Sequence, residues 1–528
     1  MRYKENTPFF LLIMAVFLIV IVYLMPICGS LLSDSFAFDI ITNKIYGFIP
    51  AYLRSCFFAI ISALLCTIGG LQIALCIRGI SLYSRLGKTM SLLIIPIALG
   101  NMTTAYIVKC SLYGTIFFDY VMGWGYWSQT LLMCFLQFWS YGTLFIYLFW
   151  IGIQTIPRKY DDYRKAVGMS DKEEIRDIIL PSIRNLFILL FIIAFLFSFY
   201  ELPKSQFVFK ASYGMGTELV NHALNRIYQI FSTINPALAG MTMFKVGCLV
   251  AFITLIIVGL CGFCALKGYS QLLKGRVFTL IGKKFKNIAY VCIFCTVLPI
   301  ITGLYGSKYI INMDTIIEMF VPMSLTFLAA FCATGYAVLS GIASRLVFPN
   351  LLNKFKKGAL LYILTIFLLQ LFPPICLMVC GYGWLSKIGY DGIYIYIVWI
   401  IGHVLLMFPV LGSFVVATHF VVRNEELEWQ KVHGVSAWEI ISFSFLKRFK
   451  AEYILTFLFS YTMIWNDMII NSILSDYIPS FADKMQRLFI GRATDDTKAA
   501  LFAILSITIA MGCVCVWNYV LKKNYANS

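Results

Sequence analysis

Two acidic residues, Glu201 and Asp467, lie near the ends of long apolar segments in which charged side chains are rare. A carboxylate in such surroundings is costly to bury, so it usually faces a polar route or pairs with a basic group. Equivalent acids around one symmetry axis would line a common path or gate and would attract a cation. The alternative is that each acid reaches the membrane interface or pairs with Lys204 or Arg54.

A second group of polar residues occupies two charged segments, 156–184 and 421–450. The first segment predicts a short helix that Gly168 breaks, followed by a second helix that Ser170 or Asp171 caps. This pattern predicts a helix–turn–helix lying on a membrane surface. The alternative is a solvated loop between two membrane spans, but a plain loop gives no reason for the similarity between the two segments described below.

The cysteines and histidines do not form a recognisable metal or redox site. Most of the 16 cysteines lie in apolar segments, and both Cys-x-x-Cys pairs have apolar neighbours rather than the cations that stabilise a thiolate. The four histidines show no ligand spacing with cysteine or with each other. We therefore expect neither a metal ion nor another cofactor.

The elements that must position these residues are membrane helices. The chain has 528 residues, of which 60% are hydrophobic and 13% charged, which excludes a soluble or a disordered protein. Runs of about 20 apolar residues are long enough to cross a bilayer as helices. The sequence predicts an all-α, polytopic membrane protein with twelve spans, near 8–27, 50–77, 90–108, 129–155, 186–202, 243–266, 288–305, 318–344, 358–382, 393–420, 453–470 and 499–521.

The net charge of +17 follows the predicted orientation of these spans. With the N-terminus inside, 29 of the 42 basic residues fall in inner segments, against fewer than half of the 25 acidic ones. Cytoplasmic loops are enriched in Lys and Arg, so the lipid bilayer explains the basic balance and no nucleic acid partner is needed. Both termini and both charged segments are predicted to face the cytoplasm.

The two charged segments belong to an internal repeat. Gly168 and Gly434 are separated by 434 − 168 = 266 residues, which is almost half of the chain. At the same offset Glu201 matches Asp467, an informative match because acids in spans are rare. The sequence therefore predicts two homologous six-span halves in the same orientation, 1–272 and 273–528.

The charged segments resemble the EAA loop of bacterial ABC importer permeases. The family pattern is Glu-Ala-Ala, then Gly, then a Leu-Pro pair, and this chain has no Ala-Ala pair in either copy. The closest resemblance is to the fused double permeases of the iron(III), thiamine, sulfate and polyamine group. The resemblance implies that the ATPase-docking residues are Asp162, Ala166, Gly168, Ser170, Leu180, Pro181, Glu428, Gly434, Ser436 and Leu446.

The resemblance also implies partners and a location. Such permeases lie in the bacterial cytoplasmic membrane, receive substrate from a periplasmic or lipid-anchored binding protein, and dock two cytoplasmic ATPase subunits. The expected substrate is iron(III) or a thiamine-like cation. We expect a transport subunit rather than an enzyme, because the nearest approach to a phosphate-binding loop, Gly87-Lys88-Thr89, has Leu82 in place of the first glycine.

Two other functions remain open from the sequence. One is a twelve-span secondary transporter that uses Glu201, Asp467 or His403 for proton coupling. Its long inner loop would usually fall between the halves, whereas here the longest inner loops fall within each half. The other is a polytopic membrane enzyme, which would need a larger extramembrane domain than 203–242 or 471–498 provides.

Overall fold

The structure is a computed structural model, and its described part is helical throughout. The described residues are 48–81, 84–112, 126–154, 156, 159–199, 285–305, 313–347, 393–419, 422, 424–465, 467 and 496–526. Within these ranges every regular element is a helix, which confirms the all-α prediction. The chain divides into two compact units, which we describe separately.

The first unit includes the described residues 48–199, 285–320 and 496–526. Its helices are α1 Phe48–Leu64, α2 Gly70–Ile77, α3 Arg85–Thr89, α4 Ile95–Leu112, α5 Tyr126–Gln137, α6 Thr143–Gln154, α7 Lys159–Val167, α8 Asp171–Glu173, α9 Leu180–Phe199, α10 Lys286–Tyr305 and α16 Asp496–Ala526. Short π-helical turns join α1 to α2, α5 to α6 and α8 to α9, and a 3₁₀ turn joins α3 to α4.

The second unit includes the described residues 321–347, 393–419, 422, 424–465 and 467. Its helices are α11 Met313–Val347 from Val321 onward, α12 Ile393–His419, α13 Asn424–Val432, α14 Ala437–Ile440 and α15 Lys450–Trp465. A π-helical turn, Ile441–Lys447, follows α14.

Six continuous helical stretches are long and apolar enough to cross a membrane: Leu53–Ile77, Trp127–Gln154, Asp171–Phe199, Lys286–Tyr305, Ile316–Leu346 and Lys498–Val516. These stretches indicate a membrane protein, and each overlaps a predicted span. The predicted spans 393–420 and 453–470 correspond largely to α12 and α15. The predicted spans 8–27, 243–266 and 358–382 lie outside the described residues, so the total of twelve stays a prediction.

The predicted third span, 90–108, is a bent pair of helices. Arg85–Asn101 and Thr103–Leu112 meet at 98°, and counting them as one span gives a seventh crossing. The bend falls at Gly100, whose φ of 70° and ψ of 175° do not fit a helix. Glycine reaches this conformation without the steric conflict that a Cβ would cause.

Close helix packing in the first unit depends on small residues. A Cβ added at Gly70 would lie 3.3 Å from the Cβ of Phe145, so α2 and α6 approach closely. A Cβ at Gly303 would lie 2.7 Å from the carbonyl oxygen of Ile107, where α10 crosses α4. Small residues allow such contacts between helices in a membrane, where hydrophobic burial cannot supply the driving force.

The first unit includes helices from both halves of the sequence. Around α4, α10 and α16, the buried cluster consists of Ile95, Ala98, Leu99, Ile107, Ile300, Ala510 and Val514. The Asn518 amide donates to Ser91 Oγ at 2.6 Å, and Trp139 Nε1 donates to the Thr296 carbonyl at 3.1 Å. The unit therefore differs in extent from the predicted half 1–272, which is a proposal about sequence repetition.

Candidate functional site

Each charged segment contains a helix that ends at a glycine in the left-handed conformation. Helix α7 stops at Gly168, with φ of 68°, and α13 stops just before Gly434, with φ of 73°. The following amide, Met169 N–H, donates to the Arg164 carbonyl at 3.1 Å, and Val435 N–H donates to the Gln430 carbonyl at 3.0 Å. These bonds are typical of a helix C-cap with glycine at the left-handed position. Both segments therefore turn in the same way at the predicted positions.

The next helix in each segment begins with a reciprocal capping box. Ser170 N–H donates to Glu173 Oε2 at 2.8 Å, and Ser436 N–H donates to Glu439 Oε2 at 2.9 Å. The amides of the same glutamates donate to the serine hydroxyls at 3.4 and 3.3 Å. The Ser436 hydroxyl and amide lower the pKa of Glu439. These contacts support the predicted capping role of Ser170.

The glutamate partners are site residues that the sequence reasoning missed. Glu439 lies 266 residues after Glu173, the offset that also relates the two serines. The pattern Ser-x-x-Glu before a helix is a recognisable signal for a capping box. A search for that pattern in both segments identifies the complete motif.

Buried charges fix the first segment. The Glu174 side chain is 2% exposed, and its Oε2 lies 2.7 Å from Arg164 Nη1 and 3.5 Å from Arg78 Nη2. Arg78 follows α2 and also donates to the Leu75 carbonyl at 2.9 Å. A buried carboxylate is stable only when charged partners compensate its lost hydration. The network therefore ties the end of a membrane helix to both helices of the first segment.

The second segment uses neutral and exposed contacts at the corresponding places. Ile440 occupies the position of Glu174 and is fully buried. Gln430 occupies the position of Arg164, and its Oε1 accepts a hydrogen bond from Ser444 at 3.0 Å. The salt bridge Glu426–Arg448, at 3.0 Å, is partly exposed on both sides. The same backbone arrangement is thus held by apolar packing instead of buried charge.

The end of α11 is also tied to the second segment, but through the backbone. Arg345 Nη2 donates to the Val422 carbonyl at 2.6 Å, and the Arg345 side chain is buried. Burial lowers the pKa of Arg345. Arg345 is one position beyond the equivalent of Arg78. Each segment is therefore anchored by an arginine near the end of a long apolar helix, with different acceptors.

Both segments expose aromatic side chains at matching positions. Tyr163 in α7 is 55% exposed, and Trp429, its equivalent in α13, is 60% exposed. Val432 in α13 is 84% exposed. Large apolar side chains at the surface of a charged segment often mark a site of protein interaction. These two aromatics replace the first alanine of the family pattern.

The predicted docking residues lie in these two segments and are mostly exposed. The exposed ones are Asp162, Ala166, Gly168, Ser170, Leu180, Pro181, Glu428, Gly434 and Leu446, whereas Ser436 is half-buried. Pro181 is the second residue of α9, directly after a π-helical turn, so the surface helix continues into the membrane helix. The structure brings the residues of each copy together on one short segment.

The two predicted acids have different outcomes. Glu201 lies outside the described residues. Asp467 follows α15, and its Oδ2 lies 3.3 Å from Nε2 of His403, whose side chain is fully buried. The sequence reasoning placed both residues among the candidates for a pathway but did not pair them.

No family model, curated protein or solved structure matches this chain. The functional argument therefore depends on the residues and on the internal repeat.

Proposed function

We propose that this chain is the transmembrane permease subunit of an ATP-driven ABC importer. The observation that carries the proposal is the repeated surface segment: helix, left-handed glycine, serine capping box and π-helical turn, at an offset of 266 residues. Such exposed, structurally repeated segments are suited to contact two copies of one partner. ATP hydrolysis then belongs to a separate cytoplasmic ATPase dimer.

The rest of the proposal follows from the same resemblance. The spans form the translocation path in the bacterial cytoplasmic membrane, and Glu201 and Asp467 lie along the path or its gate. An external binding protein delivers the substrate, which is iron(III) or a thiamine-like cation. Carboxylates at the path are consistent with a cationic substrate, because opposite charges attract across short distances in a medium of low dielectric constant.

A photo-crosslinking experiment tests the ATPase contact. A benzophenone side chain replaces Tyr163 in one variant and Trp429 in another, and the control carries it at Tyr305, an exposed residue at the other end of α10. We expect crosslinks at the first two positions to a protein with a phosphate-binding loop, identified by mass spectrometry. Absence of such a product at both positions, with the chain intact in the membrane, would contradict the proposal.

The topology gives an independent prediction. A single cysteine at position 170 or 436, in a chain without its own 16 cysteines, is expected to react with a membrane-impermeant reagent only from the cytoplasmic side. The excess of basic residues in the inner segments is the physical reason. Labelling of either position from outside intact cells would contradict the orientation.

The alternative is a twelve-span secondary transporter. The contact between His403 and Asp467 is the observation that favours it, because a histidine–carboxylate pair in a membrane is a common element of proton relays. The two functions differ in their need for an ATPase. Substrate uptake that persists after removal of every associated ATPase would support the alternative.

A further inference from the structure

Two histidines of α12 contact α15 or the residues just after it. At one end His419 Nε2 lies 2.7 Å from the Tyr453 hydroxyl, and at the other His403 Nε2 lies 3.3 Å from Asp467 Oδ2. The 16 residues between the histidines correspond to about 24 Å along a helix. His403 is therefore far from the predicted cytoplasmic end of α12, at the opposite side of the predicted span.

The protonation state of His403 follows from its two partners. Nδ1 lies 2.9 Å from the Trp399 carbonyl, which can only accept a hydrogen bond, so Nδ1 carries a hydrogen. Nε2 faces a carboxylate of Asp467, which also accepts when it is ionised. A neutral ring would then direct its lone pair at the carboxylate. A proton on Nε2 removes this conflict and gives both ring nitrogens an acceptor.

The internal repeat shows that this arrangement is special to the second half. The residue equivalent to His403 is Gln137, 266 positions earlier, and it is also fully buried. The residue equivalent to Asp467 is Glu201 at the same offset. The first half therefore combines an amide, which does not titrate, with its acid. Imidazole is the side chain that ordinarily changes its charge between pH 5 and 8.

We propose that His403 and Asp467 form a proton-binding site in the membrane-spanning part of the second half. Nε2 takes a proton from water and becomes an N–H group directed at Asp467, and the net charge of the pair changes from −1 to zero. When the proton leaves, the negative charge of Asp467 is uncompensated. The proton thus sets the charge of one of the two predicted pathway acids and leaves Glu201 unaffected.

Other titratable side chains on the neighbouring elements are placed elsewhere. Glu452 and Tyr453 begin α15 near His419, and Tyr461 stacks on Trp465 at 6.0 Å between ring centroids. On α11, Tyr336 packs on Phe408 at 4.8 Å, and Arg345 reaches Val422; α11 also carries Cys332. On α12 itself the others are Tyr396 and His419. Asp467 is the carboxylate placed against the His403 ring.

Nuclear magnetic resonance of the purified full chain tests the site directly, because the chain contains four histidines. The imidazole Cε1 positions are labelled with ¹³C, and His403→Gln, which copies the first half, assigns one signal. We expect that signal to titrate between pH 5 and 9. In Asp467→Asn its midpoint should move to lower pH by about one unit or more, because the imidazolium loses its counter-charge.

The control is Glu452→Gln, which removes a carboxylate from the same helix near His419. It should leave the His403 midpoint within about 0.3 unit of wild type, since screening and distance weaken the interaction. The signals of His419 and His433 report whether each variant is folded. If Asp467→Asn does not fold, Asp467→Glu should retain the wild-type midpoint, and a shift as large as that expected for the asparagine would contradict the proposal.

An absence of titration of His403 from pH 5 to 9, or a midpoint that is unchanged in folded Asp467→Asn, would overturn the proposal. The measurement needs neither the ATPase nor the substrate. Its failure would therefore leave the proposed importer function untouched, and loss of the ATPase contact would leave this site untouched.

Discussion

The segment from α7 to the π-helical turn Glu174–Ile179 and the segment from α13 to the turn Ile441–Lys447 share a backbone but not the forces that fix it. In the first, Glu174 is buried between two arginines; in the second, buried Ile440 takes its place. A repeated fold thus tolerates exchange of ionic for apolar contacts. The glycine turn and the serine cap are common to both and define the motif.

The largest expected effect is loss of the buried carboxylate. Glu174→Ile copies the second segment and leaves Arg78 buried without its acid, which should destabilise the protein by about 3–5 kcal/mol. The measurement is thermal unfolding in detergent. Asp177→Ala is the matched control, because its partner Arg176 is exposed and such pairs contribute about 0–1 kcal/mol.

The reciprocal change sharpens the comparison. Ile440→Glu places a carboxylate among apolar contacts, and it should destabilise the protein at least as much as Glu174→Ile. Adding Arg164→Gln to Glu174→Ile should recover part of the loss, because one uncompensated charge is removed. A Glu174→Ile variant as stable as wild type would show that the ionic network does not fix the first segment.

The glycine turns should respond alike in stability. Gly168→Val and Gly434→Val should each cost about 1–3 kcal/mol, because both glycines have φ near 70° and a Cβ meets no atom within 4 Å. Asparagine tolerates this conformation better, so the Asn variants are the controls. We expect ATPase recovery to fall more for Gly168→Val, since only the first segment keeps Leu180-Pro181. Equal stability of the Val and Asn variants would argue against backbone strain.

The smallest expected effect on stability is loss of the caps. Ser170→Ala and Ser436→Ala should each cost about 1 kcal/mol, since each removes one hydroxyl that satisfies a helix N-terminus. Hydrogen exchange at residues 171–173 and 437–440 measures the effect, and the two segments should change by similar amounts. Protection that falls in one segment only would show that the caps are not equivalent.

The sequence predicts the elements of these segments better than their interior. The glycines, the serine cap and the apolar helices could be predicted, because turn residues and apolar runs act locally. The partners of Glu174 could not, since Arg78 is distant in the chain and burial depends on tertiary packing. The bend at Gly100 was likewise missed, although Gly100-Asn101 is a turn signal inside an apolar run.

Recovery of the ATPase with the double variant Tyr163→Ala/Trp429→Ala tests the central claim most directly. Both side chains are more than half exposed, so the unfolding midpoint should stay close to that of wild type. The account predicts that the purified double variant loses the ATPase at least about tenfold, which corresponds to about 1.4 kcal/mol. Full ATPase recovery with a folded double variant would contradict the account.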